Sequence, residues 1–146
     1  MSAIHPQLRK DCLVLGCFPL CHLLLVKDAN YPWFILVPNR DNISEIHQMS
    51  ESDQRQLMLE SSALGECLMT ALKGHKLNVA ALGNMVPQLH MHLIVRYKND
   101  AAWPDPIWGK VQAKVYGEFE LNVLKNQVKQ WVLPNFTGTD EAIDQF

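Results

Sequence analysis

The chain has 146 residues, 48% of them hydrophobic and 19% charged. This is a globular composition, long enough to bury roughly two thirds of its unfolded surface around one core. A formal net charge of -2 gives no global attraction to nucleic acid or to an anionic membrane, so neither is expected as a partner.

In chain order, Arg9 and Lys10 precede an almost uncharged run, "CLVLGCFPLCHLLLV", that imitates an exported segment, "LVLGC" resembling a lipoprotein cleavage box. Only four residues separate Asp11 from Gly16, however, and no small-x-small site follows Val26, so no export signal is expected. The Gly16 to Pro19 turn instead divides the run into two strands, 12–16 and 21–26. "WFILVP" is a third strand ended by Pro38, and the polar turn "KDANYP" before it carries Asp28 and Asn30. The cysteines (Cys12, Cys17, Cys21, Cys67) form no C-x-x-C, and three lie among apolar residues, which reads as reduced, buried thiols in a cytoplasmic protein.

Residues 50–74 predict a long helix. Ser50 stands at its N-cap, Asp53 at the capping-box position and Gly74 at C′, while Leu57, Leu64, Leu68 and Leu72 recur at helical spacing. The charged run "SESDQR" is its solvated first turn. "KLNVAAL" and "QLHMHLIVRY" then read as two strands joined by the loop "GNMVP", and Leu121, Leu124, Val128 and Trp131 mark a C-terminal helix stopped by Pro134. The expected fold is α+β, a single domain over 1–146 with an antiparallel sheet of about five strands, one long helix and one C-terminal helix.

"PQLHMHLIVR" carries the chemistry. Period-2 alternation puts Leu89, Met91, Leu93 and Val95 on one face and Gln88, His90, His92 and Arg96 on the other. Three readings of that second row stand at this point. It faces water on a half-exposed sheet; or His90 and His92 grip a metal ion, although no third ligand stands at a diagnostic spacing among His47, His75, Glu45 and Cys67; or an imidazole attacks phosphorus. The third is chemically direct, because a neutral imidazole offers a free nitrogen at pH 7 and a second one can donate a proton or a hydrogen bond. The preceding Gly83 lets backbone N–H groups approach phosphate, and Asn84 offers an amide donor.

"GNMVPQLHMHLIV" resembles the signature of the histidine triad (HIT) superfamily, His-φ-His-φ-His-φ-φ with φ apolar, preceded by a glycine-containing phosphate loop. The order of elements over about residues 10–100 is similar too. Gln88 occupies the first histidine position, while His90 matches the central nucleophile and His92 the third histidine.

The resemblance implies a nucleotide hydrolase or nucleotidyl transferase, of the phosphoramidase or dinucleoside polyphosphate hydrolase class, that needs no cofactor or metal. His90 would attack an α-phosphate to give a nucleotidyl-histidine, His92 would assist the leaving group, and Gln88 would replace a proton carrier with a hydrogen-bonding amide. It further implies phosphate contacts from Gly83, Asn84 and Asn78, a ribose contact from Asp28, and a homodimer. Met85 stands where many relatives carry serine. Phe34 and Ile43 are core or flank the base, and "AAWPDPIWG" is a wall or lid in which Trp103 and Trp108 meet either the site or a partner subunit. A nucleotide-binding module with little catalysis, or a small metal-dependent enzyme, are the alternatives.

Overall fold

The structure, a computed structural model, describes residues 3–131 and 133–138. Its elements are α1 (Pro6–Asp11), β1 (Cys12–Cys17), β2 (Cys21–Val26), β3 (Trp33–Pro38), α2 (Glu51–Ala71), β4 (Lys76–Ala80), β5 (Met91–Arg96), α3 (Glu118–Gln130) and β6 (Thr137–Gly138), with a 3-10 turn at Ile46–Gln48 before α2. The strands form one antiparallel sheet in the order β4-β5-β3-β2-β1-β6. The α+β class and the antiparallel sheet agree with the expectation from sequence.

Alternation along the strands builds two unlike faces. Leu13, Leu23, Leu25, Phe34, Leu36, Leu93 and Val95 meet Leu57, Leu64 and Leu68 of α2 and Val128 of α3. Each fully buried leucine in this layer contributes roughly 1.5–3 kcal/mol relative to exposure. Glu60 of α2 ties the helix to the β1–β2 turn, its Oε1 accepting from the Leu20 and Cys21 N–H groups, both at 3.0 Å. Phe34 is fully buried in this layer, with its ring 5.8 Å from that of Trp131, so it is core and not a base contact.

The opposite face carries two separate apolar clusters. Ile4 and Leu8, from the N-terminal segment and α1, pack on Leu24, Ile35, Val37 and Val86. Tyr31, Ile94, Ala102 and Ile107 form the other beneath the segment that follows β5. That segment is held by Arg96, whose Nε and Nη2 donate to the two oxygens of Asp100 at 2.8 and 3.0 Å. Asp100 also accepts from the N–H groups of Tyr97, Ala102 and Trp103. The site lies between the two clusters.

Several boundaries differ from expectation. α1 has six residues, too few to show a helical period; Pro6 begins it, and His5 caps it by accepting from the Gln7 N–H at 3.1 Å. β6 has two residues and pairs with Gly16 and Cys17. The left-handed residue ending α2 is Lys73 (φ 52), not Gly74, and the Gly74 N–H donates to the Met69 carbonyl, the Schellman pattern. Gly74 is required by space instead: a Cβ there would lie 2.5 Å from Val95 Cγ1.

β4 ends at Ala80, which pairs with His92, and β5 starts only at Met91. Gln88 to His90 therefore belong to the preceding loop, because Pro87 has no N–H and the Leu89 N–H donates to the Ile43 carbonyl at 2.9 Å instead of to a ladder. The polar row does not face water either: His90, His92 and Arg96 are 7%, 6% and 1% exposed.

Candidate active site

His90 is the last residue before β5, and its ring is fixed by its own loop. Nδ1 lies 2.7 Å from the Gln88 carbonyl oxygen, which only accepts, so Nδ1 carries the proton and Nε2 the lone pair. A lone pair on Nε2, in a ring that lines a cleft, is the state of a nucleophile.

His92 holds the opposite tautomer. On β3 the residue directly across from His92 is Ile35, which makes Trp33 its diagonal neighbour on the same face. The Trp33 indole Nε1–H, a donor only, lies 2.9 Å from His92 Nδ1, so that nitrogen accepts and the proton of the neutral ring sits on Nε2. Burial, and then the neighbouring His90, push the His92 pKa down to about 4. At neutral pH His92 is thus a fixed N–H donor. Trp108 stands edge-on to it with ring centroids 5.2 Å apart, and the His90 and His92 rings are 5.0 Å apart.

Both histidines line a cleft of about 630 Å³. Its rim is the loop from Leu82 to Val86, and its floor includes Cys12, Val26 and Ile35. Gly83 has φ +75, a left-handed conformation that strains any residue with a Cβ, and Asn84 beside it is exposed. One wall is α1, through Gln7, Leu8 and Asp11; the other is aromatic, through Trp33 and Trp108. Among the described residues no lysine or arginine lines the cleft, so the groups available to an anion are backbone N–H groups, the amides of Gln7 and Asn84, and imidazoles. Among the described residues no three His, Cys, Asp or Glu side chains converge as ligands for a metal ion.

The cleft thus unites His90, His92, Gly83, Asn84 and Met85, and it leaves out three residues singled out in the sequence. Gln88 turns its side chain away: Oε1 accepts from the His5 N–H at 2.8 Å and Nε2 donates to the Ala3 carbonyl at 2.9 Å. Asp28 is 7% exposed and is not among the lining residues; its Oδ1 accepts from the Asn30 N–H, Asn30 Nδ2 and the Lys114 N–H. Asn78 Oδ1 accepts from Arg96 Nη1 at 2.8 Å. Trp103 stacks beside Arg96 and His75 and not over the cleft, and His47 lies in the exposed 3-10 turn.

A HIT domain model matches residues 7–99. The chain belongs to the HIT domain family. Among solved structures, HIT proteins similar to it include histidine triad proteins from Bradyrhizobium japonicum (43% identity, TM-score 0.87, covering 88% of this chain and 96% of that one) and Marinobacter aquaeolei VT8 (46%, 0.86, 88% and 94%). A third is from Sinorhizobium meliloti 1021 (33%, 0.87, 90% and 98%). The search of curated proteins found no match. HIT membership brings nucleotide hydrolysis or transfer as the general class of chemistry.

For this HIT domain, sequence reading missed Trp33, Gln7 and Asp11. Trp33 opens an apolar strand and reads as core, and its hydrogen bond depends on a cross-strand register that the residues alone do not fix. Gln7 and Asp11 lie on a helix too short to be legible. Among the described residues no helix is long and apolar enough to cross a membrane.

Proposed function

We propose that this HIT protein cleaves a nucleotide conjugate at its α-phosphate through a covalent nucleotidyl-His90. The carrying observation is the hydrogen bond from His90 Nδ1 to the Gln88 carbonyl, which in the neutral ring puts the lone pair on Nε2 at the cleft. Nε2 attacks phosphorus, the Nε2–P bond forms, and the bond to the leaving group breaks with its electron pair leaving on that group. The ring becomes cationic, and the carbonyl facing Nδ1–H stabilises it. Water then attacks phosphorus, the new P–O bond forms as the Nε2–P bond breaks with its electron pair returning to Nε2, the water's proton passes to solvent, and the nucleoside monophosphate is released.

The Nε2–H of His92 serves as a donor to the phosphoryl or leaving-group oxygen. With its pKa near 4, His92 acts at pH 7 as a hydrogen-bond donor to the leaving group and not as a charged acid. The loop at Gly83 and Asn84 holds the phosphate oxygens by backbone and amide N–H groups. The apolar floor suits a nucleobase, and to Gln7 and Asp11, the polar side chains that α1 brings to the cleft, we assign the ribose hydroxyls in place of Asp28.

Gln88 stands, in this reading, at the first position of the triad and contributes its backbone carbonyl to the chemistry. We take the working unit to be a homodimer joined at β4, an edge strand with no outer partner among the described residues, where Val79 is 52% exposed and Met58 of the neighbouring α2 62%. A substrate chiral at its α-phosphorus tests the covalent route. Two successive displacements predict net retention of configuration; net inversion would mean a single direct attack by water.

A further inference from the structure

Gln88 is the residue at which the sequence departs from the three-histidine motif, and its side chain spans the widest sequence gap in the site. Its amide is used at both ends by a segment more than eighty positions away, Oε1 receiving the His5 N–H and Nε2 reaching the Ala3 carbonyl. His5 is in turn the N-cap of α1. One turn further on, α1 places Gln7, Leu8 and Asp11 in the wall of the cleft. The main chain of Gln88 meanwhile receives the His90 Nδ1–H at 2.7 Å. One residue therefore holds the nucleophile with its carbonyl and the substrate wall with its side chain.

We propose that Gln88 is a positioning residue that fixes the α1 wall against the histidine loop and so sets nucleotide affinity, not the rate of phosphoryl transfer. An aliphatic residue at this position can neither accept from the His5 N–H nor donate to the Ala3 carbonyl. Ile4 and Leu8 are 4% and 5% exposed and keep the segment packed when the amide is lost. The consequence is a displaced wall in a folded protein. This inference rests on the proposed nucleotide chemistry of the same cleft.

The test compares Gln88→Met, which loses both hydrogen bonds at similar size, with Gln88→Glu, which retains an acceptor for the His5 N–H and loses the donor to Ala3. Three quantities are measured: AMP affinity by calorimetry, kcat and KM on adenosine 5′-phosphoramidate, and hydrogen exchange of the amides of residues 5–11. Gln88→Met is expected to weaken AMP binding and raise KM about tenfold, each lost neutral hydrogen bond accounting for a factor of roughly three to ten, with kcat within about twofold. Gln88→Glu should fall between it and the parent protein. Exchange at the His5 amide should accelerate in Gln88→Met and stay close to that of the parent protein in Gln88→Glu. Unchanged AMP affinity in Gln88→Met, unchanged exchange at His5 in the same variant, or a fall in its kcat of about a hundredfold at constant KM would each overturn the proposal. If the phosphoramidate is not turned over by the parent protein, the catalytic reading fails separately, and AMP binding and amide exchange still decide the role of Gln88.

Discussion

The Trp33 indole donates to His92 Nδ1 over 2.9 Å, and this one contact settles which nitrogen of His92 bears the proton. His90, bound through Nδ1–H to a carbonyl, has the reverse arrangement. Two histidines separated by a single residue are therefore held as opposite tautomers. Long-range proton–nitrogen NMR at neutral pH should report His90 as the Nδ1–H form and His92 as the Nε2–H form. In Trp33→Phe the His92 signal should become a tautomer mixture and its pKa should rise, while the His90 signal stays as it was.

The depressed pKa of His92 has a consequence for stability. In the unfolded chain this group takes up a proton as the pH falls through about 6.5, but in the folded protein only near 4. Between those values the unfolded state holds more protons, so the contribution of His92 to stability declines as the pH is lowered. Urea titrations of the parent protein and of His92→Gln should show the difference between them shifting against the parent from pH 6.5 down to pH 4 and levelling below. A difference independent of pH would show that His92 titrates normally in the fold.

Arg96 and Asp100 are almost fully buried, with side chains 1% and 4% exposed. Burial raises the Asp100 pKa, but the Arg96 hydrogen bond and three backbone N–H groups outweigh it and hold the value at about 2. Asp100→Ala leaves a buried guanidinium and those N–H groups unpaired, and it should cost about 3–5 kcal/mol in denaturant titrations at pH 7. Because the carboxylate is stabilised above its unfolded value of 3.8, the penalty should be constant from pH 5 to 7 and shrink only as the pH falls toward 2.

The α+β class was legible because short apolar runs broken by turn signals mark the strands and the helix from Glu51 repeats its leucines. The histidine pair was legible as a pair because its spacing is local. What surrounds it was not. The partners of Gln88 and of Asp28 lie 85 and 86 positions away at the farthest, and the partner of His92 lies 59 away, so each depends on tertiary register. A polar side chain at a strand end reads identically whether it faces substrate or staples a distant segment; Gln88 and Asp28 are both of the second kind here. Arg96 reads as part of a polar row and proves to be the most deeply buried ion in the fold's second face, because Asp100 is only one turn of chain away yet invisible as its partner until the loop is seen.

The edge at β4 bears on assembly. Val79→Lys places a charge on the exposed part of that strand and should convert a dimer to a monomer in sedimentation velocity at micromolar concentration, with the thermal transition of the monomer retained. A dimer that persists in Val79→Lys would place the contact elsewhere.

The central claim is that His90 Nε2 becomes bonded to phosphorus. Acid quenching within the first turnover of adenosine 5′-phosphoramidate, followed by intact-protein mass spectrometry and peptide mapping under mild conditions, reads this directly. A transient gain of one adenylyl group located at His90 is expected, absent in His90→Ala and formed more slowly in Trp33→Phe. Turnover with no adduct in the parent protein, or the same adduct in His90→Ala, would contradict it.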